Sequence, residues 1–145
     1  MLIYLDICCF NRPFDDQSQV RVLLETEAKL VVQDRIRNGR LDLAWSYVME
    51  LENSANPFED RRASISTWQN LATVDVSESE EIIERAEALN KLGFRAKDAL
   101  HISCGIAASC QVFLTTDKGI LNKASLVPEL AILNPVDYDF TQDDD

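Results

Sequence analysis

Histidine is almost missing from this sequence, and its cysteines have a spacing that zinc sites do not use. The one histidine, His101, excludes a histidine-rich zinc centre. Adjacent Cys8 and Cys9 are poorly placed to ligate one ion together, and Cys104 and Cys110 complete no zinc template. We therefore expect all four cysteines to be buried, reduced thiols.

Long apolar runs are also missing, since none reaches the roughly 18 residues that a membrane span needs. No basic cluster precedes the first aspartate, so no signal peptide is visible and a cytoplasmic location is expected. Basic residues are few: 14 Lys and Arg stand against 25 Asp and Glu, a net charge of −11. Nucleic-acid binders usually carry the opposite excess, so such a function would depend on local basic groups.

The length of 145 residues suits one compact domain, predicted over 1–140 and followed by an acidic tail, 141–145. Strands are predicted at 2–6, 41–45, 112–116 and 130–133, with 74–76 either a short strand or a connector. Helices are predicted at 15–38, 47–56, 58–71, 77–93 and 96–109, with a short one from 118. The apolar residues of the first helical pattern are Val20, Leu23, Leu24, Leu30, Val31 and Ile36. Strands that alternate with helices indicate an α/β fold with a parallel sheet covered on both faces.

Two acidic residues, Asp6 and Asp117, directly follow predicted strands. The carboxyl ends of parallel strands share one edge of a sheet, where ligands bind in such folds, so these two carboxylates can converge. Asp98 opens a predicted helix, where the positive end of the helix dipole favours an anion. Asp98 and Asp117 also have structural interpretations. Asp98 could be an ordinary acid at the start of a helix, and Asp117 could cap the helix that follows it.

The fourth acid is either Glu50 or Glu52. At about 100° per residue, Val48, Leu51 and Ala55 define the inward side of their short helix. Glu52 borders that stripe, whereas Glu50 points roughly opposite. Glu52 is therefore the predicted site residue, and Glu50 is the alternative if the helix begins one residue away from its expected start.

Four segments resemble the motifs of PIN domains, in their usual order. They are Leu5-Asp6 with Asn11, Ser46-x5-Glu52, Lys97-Asp98-Ala-Leu-His-Ile and Leu114-Thr-Thr-Asp117. They span Leu5 to Asp117, and the predicted elements extend the likeness over nearly the whole chain. The PIN family includes the toxin ribonucleases of VapC-type toxin–antitoxin pairs. The resemblance implies a three-layer α/β/α sandwich around a parallel sheet of about five strands.

The resemblance also implies an activity and the residues that support it. Carried over by position, it makes four acids the catalytic, metal-holding residues: Asp6, Glu52, Asp98 and Asp117. Thr115 matches a small hydroxyl residue that supports the last acid, and Asn11 matches a polar residue near the first. The implied reaction is endonucleolytic cleavage of RNA with one or two Mg²⁺ or Mn²⁺ ions and a metal-activated water. An antitoxin protein and a second copy of the chain are the protein partners to expect.

Basic residues lie close in sequence to the acids, and four are predicted to contact RNA phosphates: Arg12, Arg95, Lys97 and Lys118. Solvated surface charge is the alternative for each of them. His101 lies one turn after Asp98, where a core histidine with a hydrogen-bond partner is favoured over a catalytic base.

Other classes of protein fit these residues less well. A phosphatase that forms an aspartyl-phosphate needs a second Asp where this sequence has Cys8. A receiver domain needs an acidic pair after its first strand, whereas Asp6 stands alone, and a further Asp at a strand end where this sequence has Trp45-Ser46. The remaining alternative is a catalytically weak or inactive PIN-like module that binds RNA or a protein.

Overall fold

A computed structural model describes residues 1–139, in which five parallel strands form one sheet in the order β3-β2-β1-β4-β5. The strands are β1 (Leu2–Leu5), β2 (Asp42–Ser46), β3 (Val74–Val76), β4 (Val112–Leu114) and β5 (Ala131–Leu133). The helices are α1 (Ile7–Asn11), α2 (Val20–Arg37), α3 (Tyr47–Ser54), α4 (Glu59–Ser66), α5 (Glu80–Lys91), α6 (Ala96–Ala107) and α7 (Lys118–Leu121). These helices flank the sheet, so the predicted three-layer α/β/α sandwich is confirmed. Phe140 and the predicted acidic tail, 141–145, lie outside the described residues.

The central strand β1 is buried on both faces, as its almost continuous apolar run predicts. Ile3, Tyr4 and Leu5 are at most 1% exposed. The Tyr4 ring stacks on Phe113 of β4, with ring centroids 5.1 Å apart. This packing fixes β1 against β4 and so fixes the residues that follow each strand.

The chain reverses its direction across the sheet between β1 and β4. From β1 it proceeds outward through β2 to β3, and it then returns to build β4 and β5 on the other side of β1. In a parallel sheet, such a reversal leaves a crevice outside the carboxyl ends of the two central strands, where ligands bind. The residues that directly follow β1 and β4 are therefore the first place to look for a site.

A short helix, α1, directly follows β1, in a segment for which no helix was predicted. Asp6 caps this helix because its Oδ1 accepts the Ile7 N–H at 2.9 Å. The predicted long helix starts later than expected, at Val20. The Asp16 side chain accepts hydrogen bonds from the backbone and side chain of Ser18, which holds the preceding segment in a turn.

Helix α2 directs most of its apolar residues outward, contrary to the usual pattern of an amphipathic helix. The exposed fractions are 70% for Val20, 48% for Leu24 and 49% for Leu30, and Leu23 and Val31 are exposed as well. Of the six apolar residues in the helical pattern, Ile36 alone is buried. The outward residues form an apolar surface that we call the α2 face: Val20, Leu23, Leu24, Leu30 and Val31.

The inner side of α2 combines apolar residues with buried polar ones, among which Glu25 is paired with other segments. The Glu25 carboxylate is 1% exposed and receives hydrogen bonds from Arg12, at 3.0 Å, and from Asn134. Buried charges are tolerated when they are paired in this way. Because Asn134 is distant in sequence, the polarity of the inner side could not be read from the helix alone.

No helix within residues 1–139 is both long and apolar enough to cross a membrane.

Candidate active site

The residues predicted to form the site come from strand ends and helix starts on one edge of the sheet. Asp6 follows β1, and Thr115 to Asp117 follow β4. Helix α3 begins directly after β2, and α6 leads back into β4. In a parallel α/β sheet both helices therefore begin near the carboxyl edge, which brings Glu52 and Asp98 to the same edge.

Asp6 is almost fully buried, at 5% exposed, and each of its oxygens has a partner. Oδ1 accepts the Ile7 N–H, and Oδ2 accepts the Thr115 hydroxyl at 2.8 Å. Burial raises the pKa of Asp6, and nearby Glu52 raises it further, whereas His101 and the bond from Thr115 oppose the rise. The carboxyl group is thus held rigidly in a place where its negative charge is costly without a compensating cation.

Thr115 joins the first acid to the last. Its hydroxyl donates to Asp6 and accepts the backbone N–H of Asp117 at 3.1 Å. The Thr115 side chain is fully buried, so both bonds lie away from water. Asp117 also caps α7, since its Oδ1 accepts the Gly119 N–H at 2.7 Å. Asp117 therefore caps α7 while its backbone N–H is tied to Asp6 through Thr115.

Asp98 and Asp117 share one cationic neighbour, Arg95. The Arg95 guanidinium lies 3.7 Å from Asp98 Oδ2 and 3.6 Å from Asp117 Oδ2. The pKa of Asp98 is raised by partial burial and by the negative charges of Asp117 and Asp6, and it is lowered by Arg95 and His101. Asp98 thus lies within electrostatic reach of two of the other acids.

Glu52, rather than Glu50, lies beside the other site residues. Its Oε2 is 2.8 Å from Nε2 of His101, whereas Glu50 is exposed and borders a different cleft, next to Arg62. The expected inward stripe of α3 was partly wrong, because Leu51 is 65% exposed. Ala55 is exposed as well, and the buried residues of α3 are Val48, Met49 and Asn53. Glu52 still borders the buried side, since it follows Met49 by about one turn.

His101 is buried with two partners, as expected of a core histidine. Its Nδ1 is 2.6 Å from the Tyr4 hydroxyl, and Tyr4 in turn is 2.7 Å from Ser46 Oγ. Burial raises the pKa of Tyr4 well above its usual value, so Tyr4 remains a protonated phenol. The sequence patterns did not identify Tyr4 and Ser46 as neighbours of the site, because each reads as an ordinary strand residue.

Cys8 is a further side chain at the site that sequence reasoning assigned only to the core. Its sulfur lies 3.4 Å from both Asp6 Oδ2 and Thr115 Oγ1, and it is partly exposed. Its position two residues after Asp6 is the signal that could have found it. The other three cysteines are buried, and within the described residues all four are free thiols. Burial raises the pKa of Cys104 to about 11 and that of Cys110 to about 12.

The predicted supporting and basic residues have different surroundings. Asn11 and Glu52 border one cleft of about 320 Å³, together with Arg61. The Arg12 guanidinium forms ion pairs with Asp15 and Glu25, so it is already engaged within the protein. Lys97 and Lys118 are exposed, and each is adjacent in sequence to one of the site acids.

The site as it stands does not form a complete metal centre. Within residues 1–139, no three histidine, cysteine or acidic side chains converge closely enough to hold one metal ion. The donors are nonetheless carboxylate oxygens, which suit Mg²⁺ and Mn²⁺. Arg95 already places a positive group against two of them. The chemistry of the donor set therefore fits a hard divalent cation.

Comparison with known proteins adds a structural likeness and no sequence match. No model of a known protein family matches the chain, and no curated protein sequence matches it either. A chain in the crystal structure of VapBC2 from Rickettsia felis, bound to a DNA fragment from their promoter, superposes with a TM-score of 0.55. The alignment has 14% identity and covers 96% of this chain and 100% of that chain. The chain therefore has the fold of a VapBC2 component over nearly its full length.

Proposed function

We propose that this protein is a metal-dependent endoribonuclease of the PIN type. In this proposal Mg²⁺ or Mn²⁺ is held by Asp6, Glu52, Asp98 and Asp117. The observation that supports it best is the Thr115 hydroxyl, which joins Asp6 to Asp117 at the point where the sheet reverses direction. A buried hydroxyl that holds an acid in an electrostatically costly place is typical of a site organised for a cation.

The cluster of acids needs a positive partner. The raised pKa values of Asp6 and Asp98 mean that ionising these acids is less favourable in the folded chain than in water. A divalent ion reverses that preference, because it is the largest charge in such a site. When bound, it lowers the pKa of water and offsets charge on the phosphate. The chain contributes the orientation of the acids through Thr115 and the α1 backbone.

Arg95 has two roles in this proposal. It is 78% exposed and its contacts with Asp98 and Asp117 are longer than 3.5 Å, so little free energy opposes its displacement by a metal ion. Once displaced, its guanidinium is available to a substrate phosphate. Lys97 and Lys118 lie next to the same acids in the chain and are exposed, so they supply further phosphate contacts.

The substrate class that suits this edge is single-stranded RNA. A net charge of −11 disfavours long duplex tracts of phosphate, whereas a few basic residues around the acids can hold a short single strand. Unpaired RNA also exposes both its backbone and its bases to a shallow surface. Local contacts near the scissile phosphate therefore replace an extended basic surface.

The test is cleavage of a mixed set of single-stranded RNAs by the full chain, with Mn²⁺ and then with excess EDTA. The Asp6→Asn protein keeps the shape of the side chain and loses one ligand charge, so we expect its activity to fall at least a hundredfold. The Glu52→Gln protein should also lose activity. Glu50→Gln is the matched control, because Glu50 lies on the same helix as Glu52 but borders a different cleft.

The outcomes separate the proposal from its rivals. Cleavage by wild type and Glu50→Gln, but not by Asp6→Asn or in EDTA, supports the proposal. Cleavage that survives both Asp6→Asn and EDTA means contamination or another mechanism. An inhibiting partner that co-purifies with the chain must be removed first, and its absence is checked by mass spectrometry.

A PIN-like module that binds RNA without cutting it is the second candidate. It is favoured by one observation, that no three acidic, cysteine or histidine side chains within residues 1–139 are poised around a single ion. Wild type that binds RNA but cleaves none under Mg²⁺ or Mn²⁺ would make this candidate the better one.

A protein partner that covers the α2 face is the remaining part of the proposal. Monomeric soluble proteins rarely expose a contiguous apolar stripe of this kind, and such surfaces usually mark protein interfaces. The structural neighbour is a component of VapBC2, so an antitoxin-like protein is the occupant we propose. The test is light scattering of the purified chain and of a Leu24→Glu/Val31→Glu variant. A size that falls in the variant would assign the face to a second copy instead.

A further inference from the structure

A chain of three short hydrogen bonds runs from the core of the sheet to Glu52. Ser46 Oγ is 2.7 Å from the Tyr4 hydroxyl, that hydroxyl is 2.6 Å from His101 Nδ1, and His101 Nε2 is 2.8 Å from Glu52 Oε2. The first three residues are at most 1% exposed, whereas the Glu52 side chain is 21% exposed. The chain therefore begins in the interior and ends on a carboxylate at the surface of the candidate site. We call these four residues the Glu52 relay.

The Glu52 relay connects the elements that carry the site acids. Ser46 caps α3, because its Oγ accepts the Met49 N–H at 3.1 Å, and Glu52 lies on the same helix. Tyr4 belongs to β1 and precedes Asp6 by two residues. His101 belongs to α6 and lies one turn after Asp98. The relay thus ties α3, β1 and α6 together beside the site, and it fixes the rotation of α3 that brings Glu52 to the edge.

The partners determine which nitrogen of His101 carries a proton. A carboxylate only accepts hydrogen bonds, so Nε2 must donate to Glu52. In the neutral ring Nδ1 is then an acceptor, and the Tyr4 hydroxyl donates to it. Tyr4 in turn accepts from the Ser46 hydroxyl, whose oxygen also receives the Met49 N–H. Every hydrogen bond of the relay has one donor and one acceptor in this arrangement.

We propose that His101 is the positioning residue for Glu52, and that Tyr4 and Ser46 hold its ring in the tautomer that donates from Nε2. One oxygen of Glu52 is then committed to His101, and the other is free for a divalent ion or a water molecule at the site. Because it concerns the metal site, this proposal rests on the proposed function. Hydrogen bonds to ligating carboxylates of this kind typically change metal affinity by about 10–100-fold when they are removed.

The first experiment determines which ring nitrogen of His101 carries the proton. His101 is the only histidine in the chain, so an imidazole ¹⁵N spectrum of the full protein contains the signals of one residue. We expect the spectrum at neutral pH to show a proton attached to Nε2. A bare Nε2 with the proton on Nδ1 would overturn the proposal, whatever the activity of the protein.

The second experiment measures the Mn²⁺ affinity of four variants. His101→Leu removes the donor to Glu52 and should weaken Mn²⁺ binding about tenfold or more, whereas His101→Gln keeps a donor amide and should recover most of the affinity. Tyr4→Phe retains the ring that stacks on Phe113 and should give an intermediate loss. Ser103→Ala is the matched control, because Ser103 is a buried residue of α6 whose hydroxyl donates to the Ile82 carbonyl at 2.7 Å.

A merely structural role predicts a different pattern. In that case His101→Leu and Ser103→Ala would both lower the melting temperature and leave Mn²⁺ affinity unchanged, which would overturn the positioning role. RNA KM measured at saturating Mn²⁺ should stay near the wild-type value in Tyr4→Phe, since Tyr4 is fully buried. Wild type that binds no Mn²⁺ would instead remove the proposed function and this inference together, so the two failures are distinguishable.

Discussion

Replacing Thr115 with valine removes two hydrogen bonds from the candidate site while the side chain keeps nearly the same size. The hydroxyl donates to the Asp6 carboxylate at 2.8 Å and accepts the Asp117 N–H at 3.1 Å. A buried bond to a charged group contributes about 1.5–3 kcal/mol, and an unsatisfied N–H costs about 1–3 kcal/mol. Asp117 is partly exposed, so water can recover some of the second loss. We expect Thr115→Val to lower the free energy of unfolding by about 3 kcal/mol.

The assay is urea unfolding in EDTA, followed by the fluorescence of the buried Trp45 and Trp68. Thr115→Ser is the control, because it keeps the hydroxyl and loses only a methyl group, which costs about 1 kcal/mol. The valine variant should also show a pH signature. Loss of the Thr115 bond disfavours ionised Asp6, so its deficit should be largest at neutral pH. The deficit should shrink as falling pH protonates Asp6 in the folded state. A valine variant as stable as the serine variant, or a deficit that does not change with pH, would refute this role of Thr115.

Three further predictions concern other charged residues of the chain. Burial lowers the pKa of Lys29 from 10.5 to about 8, so Lys29→Met should stabilise the protein by up to about 3 kcal/mol at pH 7. Because the unfolded state keeps the proton to higher pH, the stability of the wild type rises between about pH 8 and 10.5, and the difference in stability between variant and wild type should close there. A difference that does not change with pH in unfolding curves would contradict this prediction. Asp98→Asn should raise the melting temperature of the metal-free protein at pH 7, because the pKa of Asp98 is raised in the folded state. The gain should vanish at about pH 3, where the acid is protonated in both the folded and the unfolded state, and a gain that persists there would argue against charge as the cause. Lys97→Ala should weaken RNA binding and flatten its salt dependence. The control is Arg85→Ala, which breaks an ion pair with Glu129 and should change neither quantity. Equal salt slopes for wild type and Lys97→Ala in a filter-binding titration would remove Lys97 from the RNA contacts.

The sequence was sufficient for the central strands β1 and β4, because each is a short apolar run that is buried in the sheet. Strand β3 remained open between a strand and a connector, since Val-Asp-Val is short and only partly buried. The acids after β1 and β4 could be placed for the same reason, since parallel strands bring their carboxyl ends to one edge. The resemblance to PIN domains then supplied the order of the motifs. These features depend on local pattern and on general rules of topology.

The outward direction of the α2 face was not predicted from the sequence, and the inward side of α3 was predicted only in part, because both depend on contacts between distant segments. Glu25 is buried only because Arg12 and Asn134 reach it from elsewhere in the chain. Helix α3 has two turns, so a few apolar residues could not fix its rotation, and Leu51 points outward. The rotation is instead set by partners such as His101, 49 residues further along the chain. Hydrophobic periodicity contains no information about such pairings.

The most direct test of the metal site is a count of bound Mn²⁺. Free Mn²⁺ is measured by its electron paramagnetic resonance signal during titration of the full chain, of Asp98→Asn and of Glu50→Gln. We expect wild type and Glu50→Gln to bind one or two ions per chain, and Asp98→Asn to lose most of that binding, because Asp98 supplies a ligand and Glu50 does not. Wild type that binds no Mn²⁺ at millimolar concentrations, or equal binding by all three proteins, would contradict a metal site formed by these acids.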